Sequence, residues 1–416
     1  MEKFSIKTFG CKVNQYESEL ISQNLSRFSY EKTTFPNGNI IIVNACSVTQ
    51  RTESKVRNSI RKAFKNNPDK IILCGCISPT LENDLKKEFP HLTILKNTDK
   101  ITSVIKNISK KSPTLKIITS TFKAKTRAFV KIQEGCKSFC SYCIIPFLRK
   151  DMYSRNPNDI LTEIKNLEHN ECKEVVLTGT HIGKYSYEDF KLHNLVEHIL
   201  NNTKTIRIRL SSIEPMEISE KLINLFANER LCPHLHIPLQ SASNKILKKM
   251  NRHYTYSEFK SVISNLYKKI NNLTTTTDII VGFPEETDSD FKSTYNSLSE
   301  LKFIKIHIFP FSPRPYTKAF EFKQKINNKI IKQRKNLLEK LAQKSTLNAK
   351  KNFIGKTATI LIEKKINNTD NIYEGFSENY LKVQVPSKKC IKNKLINVRL
   401  ENLNKDGIFI GKIIKQ

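Results

Sequence analysis

Apolar runs and helical stripes alternate through most of the 416-residue chain. Up to about residue 108, Ser5–Gly10, Asn39–Ala45 and Lys70–Leu73 read as strands, and Gln15–Phe28 and Gln50–Phe64 carry apolar residues at helical spacing. That alternation predicts an open parallel sheet with helices on both faces. It resumes with longer helices from Ala128 to about Ser312. The expected strands are Phe129–Gln133, Val175–Thr178, Ile206–Ser211, His234–Leu239, Thr276–Val281 and Ile304–Phe309, with helices such as Asp159–Leu167, Leu192–Leu200 and Tyr256–Ile270 between them. Six βα units predict a partial (β/α)6 barrel, short of the eight units of a closed one. Beyond Pro315, Ile326, Ile330, Leu337 and Leu341 recur at turn spacing and predict a basic helix on the barrel's outer side. Last come short β-like runs, Thr357–Glu363, Asn379–Val385, Ile396–Leu400 and Ile408–Ile413, which predict a small barrel of the oligonucleotide-binding kind. The fold class is thus α/β with a small C-terminal β-barrel. The expected divisions are 1–108, a basic linker at 109–121, 122–345 and 346–416.

Cysteine spacing adds chemistry to this frame. Cys136, Cys140 and Cys143 stand at Cys-x3-Cys-x2-Cys directly after the first expected barrel strand. The active face of such a barrel lies at the C-terminal ends of its strands, which is where this loop falls. A structural zinc ion takes four protein ligands. A cube-shaped iron–sulfur cluster held by three thiolates keeps one iron open for a substrate or cofactor. A zinc knuckle completed by a histidine or by Cys172 is the alternative, as are three structural thiols. Tyr142, between the second and third cysteines, is placed to pack beside a bound cofactor. Polar, Gly- and Pro-rich segments follow the later strands, and within them Gly179, Ser211, Glu214 and Gln240 are the candidate cofactor contacts.

A second set of thiols emerges from the N-terminal fold. Cys11 follows the first strand, Cys46 ends the second, and Cys74 and Cys76 end the third. Ligands gather beyond the carboxyl ends of strands in open α/β sheets, so three thiols converge there. Strand alternation does not separate Cys74 from Cys76, because residues two apart share a face. Gly75 marks a strand-to-loop turn and favours Cys76. Cys172, Cys232 and Cys390 read as ordinary buried thiols; His181, His234 and His236 lie near the barrel mouth, and core packing explains them equally well.

Composition narrows the partners. Lys and Arg number 71 against 39 Asp and Glu, a formal net charge of +32. Such a surplus points to a polyanion, nucleic acid ahead of membrane, although a chain rich in Lys, Asn and Ile carries part of it as compositional bias. Residues 346–416 hold 14 Lys or Arg against 6 Asp or Glu, with Phe353, Tyr373, Phe376 and Tyr380 as candidate base-stacking faces. Ten cysteines, several clustered, indicate metal binding in a reducing compartment rather than a disulfide scaffold. No apolar run reaches about eighteen residues and no signal-peptide core follows Met1, so a cytoplasmic protein without membrane spans is expected.

The Cys136, Cys140, Cys143 loop resembles the signature of radical S-adenosylmethionine enzymes. Thr8-Phe9-Gly10-Cys11-Lys12-Val13-Asn14-Gln15, Val43-Asn44-Ala45-Cys46-Ser47 and Gly75-Cys76 resemble the methylthiotransferases within that superfamily. The resemblance covers essentially the whole chain and implies an amino-terminal methylthiotransferase domain, a radical barrel and an RNA-binding TRAM domain. It implies that Cys136, Cys140 and Cys143 hold a radical 4Fe–4S cluster, and that Cys11, Cys46 and Cys76 hold an auxiliary one. It implies S-adenosylmethionine as cofactor, tRNA as partner and an electron donor such as flavodoxin or ferredoxin.

Among the family's branches the chain looks most like the one acting on N6-threonylcarbamoyladenosine at tRNA position 37, beside the anticodon. His234-Leu235-His236-Ile237-Pro238-Leu239-Gln240-Ser241 and Phe309-Pro310-Phe311-Ser312-Pro313-Arg314-Pro315 carry that likeness. The isopentenyladenosine branch is the alternative within the enzyme class; a ribosomal-protein branch also exists. A non-catalytic RNA-binding redox sensor is the alternative outside it. Four positions depart from the family pattern: Ala45 for Thr, and Lys150, Ala242 and Tyr316 each for Gly.

Overall fold

The computed structural model describes residues 2–96, 126–366 and 371–414. The expected linker at 109–121 lies outside the described residues. The chain forms two compact units. The first contains the described residues of 1–121, 134–152 and 312–321, and the second those of 122–133, 153–311 and 322–416.

The first unit is built on β1 (Lys3–Thr8), α1 (Lys12–Arg27), β2 (Ile40–Ala45), α2 (Gln50–Phe64), β3 (Lys70–Gly75), α3 (Pro79–Glu88) and β4 (Thr93–Leu95). A two-residue edge strand, Glu31–Lys32, precedes β1 in the sheet, and β2, β3 and β4 follow in order, every pair parallel. Residues of β2 are buried on both faces, as the unbroken Ile40-Ile41-Ile42-Val43 run demands. Ile41, Val43, Ile71 and Leu73 meet Val56 and Ile60 of α2 and Leu81 and Leu85 of α3. Ile40, Ile42, Ile72 and Cys74 meet Ile21 and Leu25 of α1 on the opposite face. Thr49 and Ser78 cap α2 and α3 through their side-chain oxygens. The expected strands and two helices are present; α3 and β4 are additional.

In the second unit β5 (Arg127–Glu134, its last residue in the first unit), β6 (Glu174–Gly179), β7 (Arg207–Leu210), β8 (His234–His236), β9 (Thr274–Val281) and β10 (Phe303–Pro310) run parallel in chain order. Bridges Ile208↔Leu231 and Ser212↔His236 join the two halves. All six strands predicted from the sequence are there, shifted by one to a few residues. Helices Pro157–His169 (α4), Leu192–Asn202 (α5), Tyr256–Lys269 (α6) and Asp288–Glu300 (α7) cover the outer face. A basic helix, α8 (Asn328–Lys351), packs on β10 and α7. Its buried stripe differs from the expected one. Ile330 and Leu337 are exposed, while Arg334, Leu338 and Ala342 are buried. The stripe rotates by one residue because Arg334 is anchored on Glu286 and Asp288.

The C-terminal strands β11 (Thr357–Lys365), β12 (Ile372–Ser377), β13 (Lys382–Pro386), β14 (Leu395–Leu403) and β15 (Phe409–Ile413) close into a barrel in the order β11, β12, β13, β15, β14. The sequence did not mark β12, and Asn379–Tyr380 belongs to a turn rather than a strand, with Tyr380 at φ +66°. Of the four aromatic residues expected to stack on bases, Tyr373 fills the barrel interior. Phe353 packs against that interior with the Lys356 ammonium over its ring. Phe376 and Tyr380 stack on each other at 4.8 Å beneath Arg127 and Arg209. These two serve internal docking. Arg209 donates to Ser377 and Glu378 carbonyls at 3.2 and 3.0 Å and pairs with the fully buried Glu174 at 2.8 Å, next to Arg127 at 2.7 Å. Burial alone would raise the Glu174 pKa, but Arg209 and Arg127 outweigh it and hold it at about 2.

Candidate functional site

In the first unit three thiols stand where strands end. Cys11 occupies the N-cap of α1 and leaves the cap without a side-chain bond, so its sulfur lies at the positive end of a 16-residue helix. Cys46 follows β2 and is 7% exposed; Cys76 follows β3 and is 3% exposed. A methyl group on Gly10 would lie 3.1 Å from the Cys46 sulfur, so a glycine beside Cys11 lets the two segments approach. Gly75 sits at φ +90°, and a side chain there would strike Asn44 Oδ1 at 2.2 Å. That left-handed residue turns the chain out of β3, as the sequence suggested, and separates the two thiols. Cys74 stays in the apolar layer against α1, while Cys76 leaves the strand, its N–H donating to Ala45 O at 3.0 Å. Burial raises the pKa of all three buried thiols: Cys46 to about 11, Cys76 to about 12, and Cys74 further still. Cys46 and Cys76 also feel each other or Cys11, and both are opposed by Arg149.

Arg149 is the residue the sequence did not reveal. Its Nε donates to Cys76 Sγ at 3.0 Å, and its two terminal nitrogens donate to Glu17 Oε1 and Oε2 at 2.7 and 2.9 Å. Glu134 takes a further short hydrogen bond. Burial works to lower the guanidinium's pKa, but Cys76, Glu17 and Glu134 raise it overall. A second network pins the strand ends. Asn14 Nδ2 donates to Asn44 Oδ1 at 3.1 Å and to Ala45 O at 2.7 Å, and Asn44 Nδ2 returns bonds to Asn14 O and Ser18 Oγ. Cys11 Sγ donates to Asn14 Oδ1 at 3.4 Å. Three thiols beside a fixed cation, on a scaffold held by buried amides, form a donor set suited to an iron–sulfur cluster, whose properties depend on N–H donors to its sulfurs.

Cys136, Cys140 and Cys143 belong to the same unit and are partly exposed. Their loop is tightly wound. Cys143 N donates to Cys140 O at 2.9 Å, Phe139 adopts φ +47°, and Ser138 N points at Cys136 Sγ at 3.5 Å. Tyr142 lies within this loop, half-buried. Residues 312–321 strap the loop down. Ala319 N donates to Ser141 O at 2.7 Å, Ser312 Oγ accepts from Gln50 N at 3.2 Å, and the buried Arg314 pairs with Glu53 of α2. Tyr316, in that strap, is 57% exposed at φ +72°, a backbone conformation that favours glycine. Lys150 is exposed, Ala45 is fully buried, and Ala242, buried in the second unit, donates its N–H to Thr294 Oγ1.

In the second unit the other candidates follow consecutive strands. Gly179 ends β6 beside Gln133, whose Oε1 accepts from His181 N at 2.7 Å. Ser211 follows β7, 5% exposed, its N–H bonded to Leu177 O at 3.0 Å. Glu214 is held by Arg252, Nη1 to Oε1 at 3.0 Å, and Arg252 is itself fixed by the Tyr254 hydroxyl at 3.0 Å. Gln240 sits at φ +66°, its N–H on Asp278 O and its carbonyl accepting from Ile280 N, which aligns the segment after β8 with β9. Arg252 is a further residue without a sequence signal, because its partner lies 38 positions away. Cys172 and Cys232 are buried as expected; Cys390 is exposed, on the polar connection between β13 and β14.

The parallel barrel and the three-cysteine loop define a radical S-adenosylmethionine enzyme, and residues 130–298 match the Radical SAM superfamily. Residues 3–96 match Uncharacterized protein family UPF0004. The threonylcarbamoyladenosine tRNA methylthiotransferase MtaB of Chlamydia pneumoniae is 35% identical over 99% of this chain and 98% of its own length. Its Thermotoga maritima counterpart is 34% identical over 98% and 96%. The tRNA-2-methylthio-N(6)-dimethylallyladenosine synthase of Endomicrobium trichonymphae is 32% identical over 98% and 99%. The solved radical S-adenosylmethionine methyltransferase TsrM from Kitasatospora setae shares the fold, with TM-score 0.55 at 13% identity over 77% of each chain. The chain belongs to the radical S-adenosylmethionine tRNA methylthiotransferases, enzymes that use S-adenosylmethionine and 4Fe–4S clusters to methylthiolate tRNA. Among the described residues no helix is long and apolar enough to cross a membrane.

Proposed function

We propose that the enzyme converts N6-threonylcarbamoyladenosine at tRNA position 37 to its 2-methylthio derivative. The observation that carries this reading is the near full-length similarity to three threonylcarbamoyladenosine tRNA methylthiotransferases at 32 to 35% identity. Cys136, Cys140 and Cys143 are assigned to the radical cluster, and Cys11, Cys46 and Cys76 to the auxiliary cluster. When bound, the first supplies the electron that cleaves S-adenosylmethionine and the second supplies or holds the sulfur to be inserted. Tyr142, Gly179, Ser211, Glu214 and Gln240 are assigned to S-adenosylmethionine. Arg149 fixes Cys76 and offsets the negative charge of cluster thiolates. The basic C-terminal barrel, residues 346–416, is assigned to tRNA, and the electron donor to a flavodoxin or ferredoxin.

Deleting the gene and analysing tRNA nucleosides by mass spectrometry tests the reading. The 2-methylthio-N6-threonylcarbamoyl nucleoside should disappear and its unmodified precursor accumulate. Persistence of that nucleoside, with no second gene able to make it, would refute the substrate. Loss of the methylthio-isopentenyl nucleoside instead would move the enzyme to the other branch.

A further inference from the structure

Within the second unit the small β-barrel docks where the parallel strands begin. Arg207, first in β7, donates to Thr359 O at 3.0 Å, and Asn379 Nδ2 donates to Asn272 O at 3.1 Å just before β9. Arg127, first in β5, lies over the Phe376 ring. Gly179, Ser211 and Gln240 follow the strands at the opposite end. The basic helix α8 runs from one end to the other. Near its start, Arg334 Nη1 donates to Glu286 O at 3.0 Å, past the C-terminal end of β9. Near its finish, Lys350 Nζ donates to Gly407 O at 2.8 Å and Gly355 N donates to Leu400 O at 2.6 Å, both in the small barrel. Its 24 residues make a rod of about 36 Å.

Charge on this rod is one-sided. It holds seven lysines and a single acid, Glu339. Glu339 pairs with Lys335 at 3.0 Å, and Lys350 is taken by Gly407. The other five, Lys329, Lys332, Lys340, Lys344 and Lys351, are exposed, and among the described residues their side chains form no ion pair. At about 100° per residue they occupy roughly a third of the helix circumference, opposite the buried Arg334, Leu338, Ala342 and Ala349, over a length of about 33 Å. Compositional bias adds lysines everywhere but does not strip carboxylates from beside them. On α6, Lys260 pairs with Glu300 at 2.8 Å and Lys269 with Glu220 at 2.5 Å. On α8, Lys340 and Lys344 stand four residues apart, a like-charge spacing that weakens a helix until an anion lies against it.

We propose that the outer face of α8 is a ridge that binds the phosphate backbone of a double-stranded RNA arm. The inference rests on the proposed placement of tRNA on the small barrel. An RNA held there, with its target base at the active face, passes along the outside of the strands, and α8 covers that stretch. Lysine suits the task. Its ammonium is a point charge on a flexible stem and meets phosphate oxygens without the fixed fork of arginine. Double-stranded RNA is recognised through backbone and shape, so such contacts position any tRNA arm without reading its sequence.

The test measures the affinity of the full-length enzyme for labelled full-length tRNA, and for a single-stranded oligonucleotide of the anticodon loop, across a salt series. The ridge variant combines Lys329→Gln, Lys332→Gln, Lys340→Gln and Lys344→Gln. A control of equal charge combines Lys165→Gln, Lys204→Gln, Lys221→Gln and Lys248→Gln, exposed elsewhere in the second unit. A barrel variant combines Lys388→Gln, Lys389→Gln, Lys392→Gln and Lys394→Gln. Iron content and Tm verify folding. In the ridge variant the slope of log K against log salt should fall by about three to four and tRNA affinity by about 100-fold or more, with the loop oligonucleotide and the control nearly unaffected. An unchanged slope in the ridge variant, with the barrel variant weakened, overturns the ridge and leaves the barrel placement standing. Equal losses in ridge variant and control, or a loss as large on the loop oligonucleotide, also overturn it. Unchanged tRNA affinity in both ridge and barrel variants overturns the placement of tRNA and the ridge with it. If the ridge variant instead loses binding to phosphatidylserine vesicles at unchanged tRNA affinity, α8 faces a membrane and the inference fails.

Discussion

Replacing Cys74 and Cys76 one at a time separates a core thiol from the proposed cluster thiol two residues away. Cys74 is fully buried among Phe4, Ile21, Leu25 and Ile72, and burial pushes its pKa upward. Cys74→Ala removes one buried sulfur from a packed layer, and a deletion of that size costs about 1 to 2 kcal/mol. The loss should appear as a drop of a few degrees in Tm, with iron unchanged at about eight atoms per chain for two four-iron clusters. Cys76 is also buried but lies beyond the strand end at Gly75, outside that layer, with its sulfur 3.0 Å from Arg149 Nε. Cys76→Ala should drop iron and sulfide by about four atoms each, the content of one cluster. Anaerobic reconstitution followed by iron and sulfide assays reads both outcomes. In the same samples Cys76→Ala should still form 5′-deoxyadenosine while making no methylthiolated RNA. Loss of four irons from Cys74→Ala, or full iron in Cys76→Ala, would refute the assignment of the third ligand.

Three further expectations follow from the packing and charge. Glu174 has its pKa depressed from 4.5 to about 2, because Arg209 and Arg127 outweigh its burial. Its contribution is therefore complete above pH 4.5 and is lost as pH falls toward 2, a window worth about 3 kcal/mol. Thermal melts from pH 6 to 3 should fall more steeply for wild type than for Glu174→Gln, and equal slopes would contradict the depressed pKa. Tyr316→Gly should raise Tm, since glycine relieves a φ of +72° at about 1 kcal/mol; a lower Tm would mean the ring's contacts dominate. Arg149→Met takes the guanidinium away from the buried Glu17 and Glu134 and should destabilise by about 3 to 5 kcal/mol, whereas restoring stability with Glu17→Gln in the same chain would confirm the charge imbalance as the cause.

Much of the architecture was legible because its signals are local. Strand and helix periods lie within windows of a dozen residues, so β2, α2 and the six parallel strands of the second unit could be placed from apolar spacing alone. The exceptions are instructive. α8 turns by one residue because Arg334 is drawn to Glu286 and Asp288, partners in a different segment. β12 carries Glu374 and Gly375 and makes its sense only once β11 and β13 flank it. Phe376 and Tyr380 looked like free rings until Arg127 and Arg209 were seen above them.

The sequence by itself marked the candidate chemistry: three thiols in one short loop, three more at predicted strand ends, and a basic chain. Those follow from spacing and composition, which need no fold. Tertiary structure decided which groups act together. Gly75 at φ +90° makes the turn the sequence suggested, leaving Cys74 in the apolar layer and Cys76 beyond the strand end. Arg149 reached Cys76 across 73 positions, and Asn14 reached Asn44 across 30. Such pairings depend on where parallel strands bring distant residues, and nothing in the residues on either side of them encodes that distance.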